Sequence, residues 1–386
     1  MKIENYINIS DPFIITFNNG ISLTTKELDS NKYYRVEFWN EGNMIYGYDS
    51  IESNRWYKPN IKYFTTWHIK IFEIDNSVTK IYSETFGIKN LKNKDVHISI
   101  DSKAIGDTLS WMGQISNFKK QTKCKKLSVS TFHVELFDIK KYKKENIHIF
   151  QTKYNDWKDF ESKADTHIII GVYNDASKPW DPNKNLRDWR KVPLGRVGAD
   201  CLGIKYIETK PYINKEYIKK STKEKSIVIG PESTSQFKHW NNSNGWQKLI
   251  DWHVDEGYNV YYAGKKQEHE YKNVITLPSN LKDIAKAMTG CEYVVGLGSG
   301  LSWLAWSINV KVILISGFTE EYTEFQDNCV RIINKDVCYG CWNSIGLDKE
   351  NYNTCPLLEN THRQFECTTS ITAEHVIERI KTSKTN

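Results

Sequence analysis

The sequence predicts an α/β protein in which a small antiparallel β domain precedes two lobes built on parallel sheets. Three observations predict it. Between Ile14 and Phe86 apolar residues recur at every second position, with turn signals between the runs. From Val96 onward strand-like runs alternate with helical ones, the pattern of parallel strands joined by crossover helices. A second alternation starts at Ser226 and ends on Tyr293 to Gly317, which reads as strand, Gly298-Ser299-Gly300 turn, helix and strand.

The elements follow in chain order. In residues 1–92, Tyr34, Val36 and Phe38 share a face, and Asn40-Glu41-Gly42 turns the chain before Met44 to Tyr48. Asp75-Asn76-Ser77 separates Trp67 to Ile74 from Val78 to Tyr82, a further hairpin signal. A sandwich or barrel is expected, without a catalytic constellation of its own. In residues 93–215, Val96 to Ile100, Leu127 to Ser130, Ile147 to Gln151 and His167 to Val172 read as strands, and Trp157 to Ser162 as a short helix. Gly106 turns the chain into a helix opened by Asp107 and carried by Leu109, Met112, Gln114 and Ile115. Asn174 to Ile213, with Trp180, Trp189 and the run PLGRVGADCLGI, reads as a loop-rich connection between lobes. Residues 216–330 repeat the alternation: strand Ile227 to Gly230, helix Trp246 to Glu256, strand Val260 to Ala263, helix Leu281 to Met288, then the Tyr293 to Gly317 stretch. Residues 331–370 hold a cysteine-rich segment, and 371–386 close with a helical pattern.

Composition narrows the function classes. A chain of 386 residues, 39% hydrophobic and 26% charged, can bury two or three cores. Nowhere do about 18 apolar residues run together, and the N-terminus has no basic segment followed by an apolar one. A cytoplasmic protein with no membrane span is expected. Lysines are spread along the chain apart from runs near Lys119 to Lys126 and Lys140 to Lys144, so the net charge of +6 does not point to nucleic acid. The 13 Trp, 22 Tyr and 15 Phe fit a site that handles sugars as well as they fit core packing.

Four constellations could carry chemistry. The Gly298 turn opens a helix, so bare N–H groups and the hydroxyls of Ser299 and Ser302 form a seat for phosphate oxygens. It lacks the third glycine of a dinucleotide fingerprint and the Lys-Ser/Thr of a P-loop. Asp107 lies where a strand gives way to a helix, at the edge where α/β ligand sites form; a helix cap and a chemical role are both open to it. Across the second lobe, Gly230-Pro231-Glu232-Ser233-Thr234 follows a strand, and Lys238 can neutralise a diphosphate. The fourth constellation is Cys338-x2-Cys341-x13-Cys355-x11-Cys367. Four thiolates at this spacing suit a closed tetrahedral zinc or single-iron site, a structural rather than catalytic arrangement, with free thiols or disulfides as the alternative.

With these motifs placed, the chain resembles the bacterial autotransporter heptosyltransferases and, more distantly, the lipopolysaccharide heptosyltransferases. The match rests on AIGDTLSW (Ala104 to Trp111), GPESTSQFKHWN with GWQKLI (Gly230 to Ile250), VGLGSGLSWLAW (Val295 to Trp306), ISGFTEEYTEF (Ile315 to Phe325) and the four cysteines. The resemblance implies a GT-B glycosyltransferase with two Rossmann-like lobes, an N-terminal β domain, and an iron-binding finger formed by Cys338, Cys341, Cys355 and Cys367. It implies ADP-heptose as donor, hydroxyls of an autotransporter passenger domain as acceptor, and assembly as a large ring, a dodecamer. By motif position, Asp107 becomes the general base and Lys238 the diphosphate partner. Gly106, Thr108, Ser233, Thr234, Gly298, Ser299, Gly300, Leu301, Ser302, Phe318 and Thr319 become donor-binding residues. No DxD motif stands in a suitable loop, so lysine and backbone dipoles are expected to hold the diphosphate without a divalent metal. Where the lipopolysaccharide enzymes carry Asp-Thr-Gly and His, this chain has Gly298, Ser299, Gly300 and Trp303. Another nucleotide-sugar donor, or a metal-stabilised assembly module without catalysis, are the competing readings.

Overall fold

The computed structural model describes residues 6–8, 11–17, 20–61, 63–152, 164–172, 184–219, 224–264, 270–344 and 354–385. Its N-terminal region holds two four-stranded antiparallel sheets. One runs Tyr6–Asn8, Phe13–Phe17, Ile21–Thr25, Trp56–Tyr57; the other runs Asn43–Tyr48, Tyr33–Asn40, Trp67–Ile74, Val78–Phe86. The period-two pattern is the cause, because alternate residues leave a strand on opposite faces. Ile15, Leu23, Val36, Phe38, Ile69 and Ile71 are all fully buried, each contributing roughly 1.5–3 kcal/mol of burial.

The first lobe is a four-stranded parallel sheet of Asp95–Ile100, Lys126–Thr131, Ile147–Gln151 and Thr166–Ile170, in which the first strand lies between the second and the fourth. The second lobe has six parallel strands. In sequence they are Ser226–Gly230, Asn259–Tyr262, Ile275–Thr276, Tyr293–Gly296, Lys311–Ile315 and Cys329–Ile332, and in space they follow the 3-2-1-4-5-6 order of a doubly wound sheet. Such sheets hold ligands beyond the carboxyl ends of their strands, where the strand order reverses. Among the described residues no helix is long and apolar enough to cross a membrane.

Several elements differ from the sequence expectation. The first helix starts at Ile105, not Asp107, and stops at Met112; a second helix spans Ile115–Thr122. The break falls at Gly113, where a Cβ would lie 1.9 Å from the Thr209 carbonyl oxygen. The stretch between the lobes is not all loop, since Leu194–Leu202 is helical. Gly195 and Gly198 weaken its helical signal by about 1 kcal/mol each, yet Gly198 admits the Trp111 ring, which a Cβ would meet at 2.9 Å. The strands Ile275–Thr276 and Cys329–Ile332 carry no clear sequence signal, being short edge strands whose residues are exposed or half-exposed except for the buried Ile332. The expected helix at Trp157 to Ser162 and Trp180 lie outside the described residues.

The connection also joins the lobes. Leu194 N–H donates to the Thr323 carbonyl (2.8 Å). The Glu208 carboxylate accepts from the N–H groups of Gln326 (2.9 Å) and Asp327 (2.8 Å). Lys210 pairs with Asp327 at 2.6 Å. Each surface ion pair contributes about 0.2–1 kcal/mol, so the set acts through geometry more than strength.

Candidate active site

The Ile105–Met112 helix of the first lobe and the Gly300–Ser307 helix of the second lobe meet at their N-terminal ends. A Cβ on Gly300 would lie 3.0 Å from Ile105 Cβ, and one on Gly106 would lie 2.9 Å from Trp303 Cδ1. Two glycines facing each other's lobes therefore permit the approach. The first-turn N–H groups of an α-helix have no intrahelical acceptor, and the N-terminus carries partial positive charge. Here both positive ends face one locus at the carboxyl edges of the two sheets.

Asp107 stands in the first turn of its helix, with Ala104 at the cap position, so it is not the N-cap. The Ser102 hydroxyl donates to Asp107 Oδ2 at 2.7 Å and holds the carboxylate. Burial raises the Asp107 pKa above the ordinary carboxylate range, while the Ser102 hydrogen bond and the Lys238 ammonium across the lobe junction lower it in part. That coupling places Lys238 within electrostatic reach of Asp107. A buried carboxylate held above its usual range and oriented by a hydroxyl is equipped to take a proton.

Each of the other expected residues has a definite place. Thr108 is buried and donates to the Ser102 carbonyl (3.4 Å). Ser233 N–H donates to His239 Nε2 (3.2 Å), which pins the loop; Thr234 is exposed at its crest. Ser299 precedes the Gly300 helix, and its buried hydroxyl has no hydrogen-bond partner among the described residues. Leu301 packs against Gly230 at the end of the central strand. Ser302 is buried and donates to the Leu297 carbonyl (2.6 Å), so it shapes the turn from beneath. Phe318 is buried and stacks on Phe237 (5.2 Å), the neighbour of Lys238. Thr319 is buried, and its hydroxyl donates to Glu324 (3.0 Å). Gly298 rests on the same carboxylate, since a Cβ there would lie 2.9 Å from Glu324 Oε1.

Sequence reasoning passed over Ser102, Glu324 and Arg331. Ser102 offers a faint signal, because a serine just before a helix often folds back on nearby backbone: its hydroxyl also accepts from Ala104 N–H (3.1 Å). Glu324 and Arg331 lie seven residues apart, and only the fold brings them together.

All four cysteines of the expected finger line one small apolar cavity closed by Phe237, Phe318 and Phe365. They are free thiols. Burial, then the neighbouring cysteines, push Cys341 and Cys367 up to about 12. Among the described residues the sulfurs do not close into a metal-ligand shell, which differs from the expected finger. Four convergent sulfur donors in an apolar pocket nonetheless suit an ion that takes tetrahedral thiolate ligands. The segment also straps the neighbouring loop: Gly340 N–H donates to the Gly317 carbonyl (2.8 Å) and Trp342 N–H to that of Phe318 (3.1 Å).

Comparison with known proteins gives this arrangement relatives. The glycosyltransferase family 9 (heptosyltransferase) signature matches residues 202–325. The autotransporter heptosyltransferase Aah of Escherichia coli is 30% identical over 382 residues, 95% of this chain and 92% of Aah. The iron-containing dodecameric glycosyltransferase TibC of enterotoxigenic E. coli superposes with a TM-score of 0.78 at 26% identity, over 97% of this chain and 96% of TibC. A second TibC structure, in complex with ADP-D-beta-D-heptose, gives a TM-score of 0.76 at 25% identity, over 97% of this chain and 98% of TibC. The inactive autotransporter heptosyltransferase BimC of Burkholderia thailandensis is 24% identical over 81% of this chain and 73% of BimC.

Proposed function

From a chain that belongs to the autotransporter heptosyltransferase family, a family of glycosyltransferases, we propose an inverting transfer of heptose from ADP-heptose to Ser/Thr hydroxyls of an autotransporter passenger protein. The observation that carries this reading is the meeting of two helix N-termini at the lobe junction, with the buried Asp107 carboxylate held there by Ser102.

Asp107 accepts the proton of the acceptor hydroxyl as its oxygen attacks the anomeric carbon. The new C–O bond forms on the face opposite the departing group, and the bond from the anomeric carbon to the β-phosphate oxygen breaks. Its electron pair leaves with ADP, whose growing charge meets the Lys238 ammonium, the Ser299 hydroxyl and the N–H groups opening the Gly300 helix. Ser102 keeps the Asp107 carboxylate aimed. Ser302, Thr319 and Phe318 act beneath the surface by holding the turn and the Lys238 loop. That TibC is described with ADP-heptose bound supports the choice of donor.

Cys338, Cys341, Cys355 and Cys367 would hold iron, with zinc as the alternative, as a structural ion that rigidifies the wall behind Lys238. The iron and the dodecamer named for TibC support that ion and a large ring of this chain. A cytoplasmic location fits the same reading.

The test is intact-mass analysis of a candidate passenger protein incubated with ADP-heptose, and separately with other nucleotide sugars. A gain of heptose with ADP-heptose alone is expected. Asp107→Asn should cut turnover by roughly 10²-fold or more while ADP binds as to the wild type. Substantial turnover by folded Asp107→Asn protein would remove Asp107 from the role of base. Wild-type protein inert with every donor would stand beside the inactive relative.

A further inference from the structure

Behind the donor turn lies an ion pair that the mechanism above does not use. Glu324 and Arg331 approach at 2.5 Å with side chains only 7% and 9% exposed. Thr319 donates to both carboxylate oxygens (3.0 and 3.2 Å), and Arg331 Nη2 reaches the Phe325 carbonyl (3.3 Å). The Glu324 carboxylate touches the underside of Gly298. Its segment, Glu320 to Asp327, is also the one that Glu208 and Leu194 of the first lobe hold.

A buried carboxylate directly beneath a turn that seats a diphosphate has the wrong sign for that ligand. At short range in a poorly solvated site such repulsion is large. Arg331 offsets it by pairing with Oε2, while Thr319 holds Oε1, the oxygen on which Gly298 rests. Building on the donor-site reading above, we infer that Glu324 and Arg331 are positioning residues for the donor diphosphate. Glu324 sets the height of the Gly298 turn, and Arg331 cancels its charge.

A role in folding alone would make the two residues equivalent, since each leaves a partner unpaired when removed. The inferred role makes them opposite in sign. The experiment is calorimetric titration of full-length wild type, E324Q, R331M and E324Q/R331M with ADP, alongside a melting curve for each. Wild type should bind ADP. R331M, with an uncompensated carboxylate under the turn, should lose affinity by tenfold or more. E324Q keeps the shape and leaves a cation, so its affinity should stay within about threefold of wild type or tighten. The double variant should recover most of what R331M loses.

Equal binding by folded R331M and wild type, a tenfold loss in E324Q, or no recovery in the double variant would overturn the inference. Should R331M fail to fold, E324Q and the double variant still decide it by the same criteria. Wild-type protein that does not bind ADP refutes the donor-site reading, and this inference with it; binding that R331M leaves intact refutes the inference alone.

Discussion

Replacing Gly106 by alanine sets local propensity against tertiary fit. Inside a helix alanine is favoured over glycine by about 1 kcal/mol, so Gly106→Ala on the first turn of Ile105–Met112 would ordinarily stabilise. Here the new Cβ would lie 2.9 Å from Trp303 Cδ1, where carbon atoms rest at about 3.5–4.0 Å. Something must therefore withdraw by about 0.6–1.1 Å. Trp303 cannot recoil freely: Phe325 abuts it edge-on at 5.0 Å and Trp306 at 5.4 Å. Overpacking of this kind costs about 1–3 kcal/mol, which offsets the helix gain of about 1 kcal/mol and leaves a net loss of about 0–2 kcal/mol. The melting temperature should fall by a few degrees. Turnover should fall further than stability, because a misplacement of about 1 Å between the two helix ends can cost roughly 10²-fold. Thermal melting and kcat/KM for the donor check both, and pairing the change with Trp303→Phe should restore part of each through direct coupling. A G106A protein that melts higher than wild type and turns over normally would refute the close packing of the two helix ends.

Two further predictions concern the carboxylate and the cysteines. Burial holds the Asp107 pKa above the usual range and Ser102 holds it partly back; a base works only when deprotonated, so activity is lost as pH falls through that raised value. Ser102→Ala should move the acid limb of the kcat/KM profile to higher pH, and an unmoved limb would count against Asp107 as base or Ser102 as its support. If the four cysteines hold a structural ion as proposed, Cys367→Ser, or a strong chelator, should lower the metal content, the melting temperature and the size of any assembly, as followed by metal analysis and light scattering. Unchanged metal content and assembly size would exclude the four-cysteine site.

Sequence alone determined the layered plan, because periodicity is a local property. Alternation at two residues marked Tyr33–Asn40 and Trp67–Ile74 as strands with one buried face, and alternating strands and helices marked both parallel sheets. It also singled out Asp107, Lys238, the Gly298 turn and the four cysteines, since each sits beside a recognisable strand end or spacing. Elements whose cause lies elsewhere in the chain were not legible in it. Gly113 ends a helix because the Thr209 carbonyl occupies its Cβ space, and Gly198 stays in one because Trp111 does. Tertiary structure alone decided that Asp107 is not the helix cap: a capping and a first-turn carboxylate look alike in sequence, and only the start of the helix at Ile105 and the Ser102 hydroxyl on Asp107 Oδ2 separate them. The same holds beneath the donor turn, where Glu324 and Arg331 are ordinary surface residue types until folding removes them from water and makes their pairing compulsory.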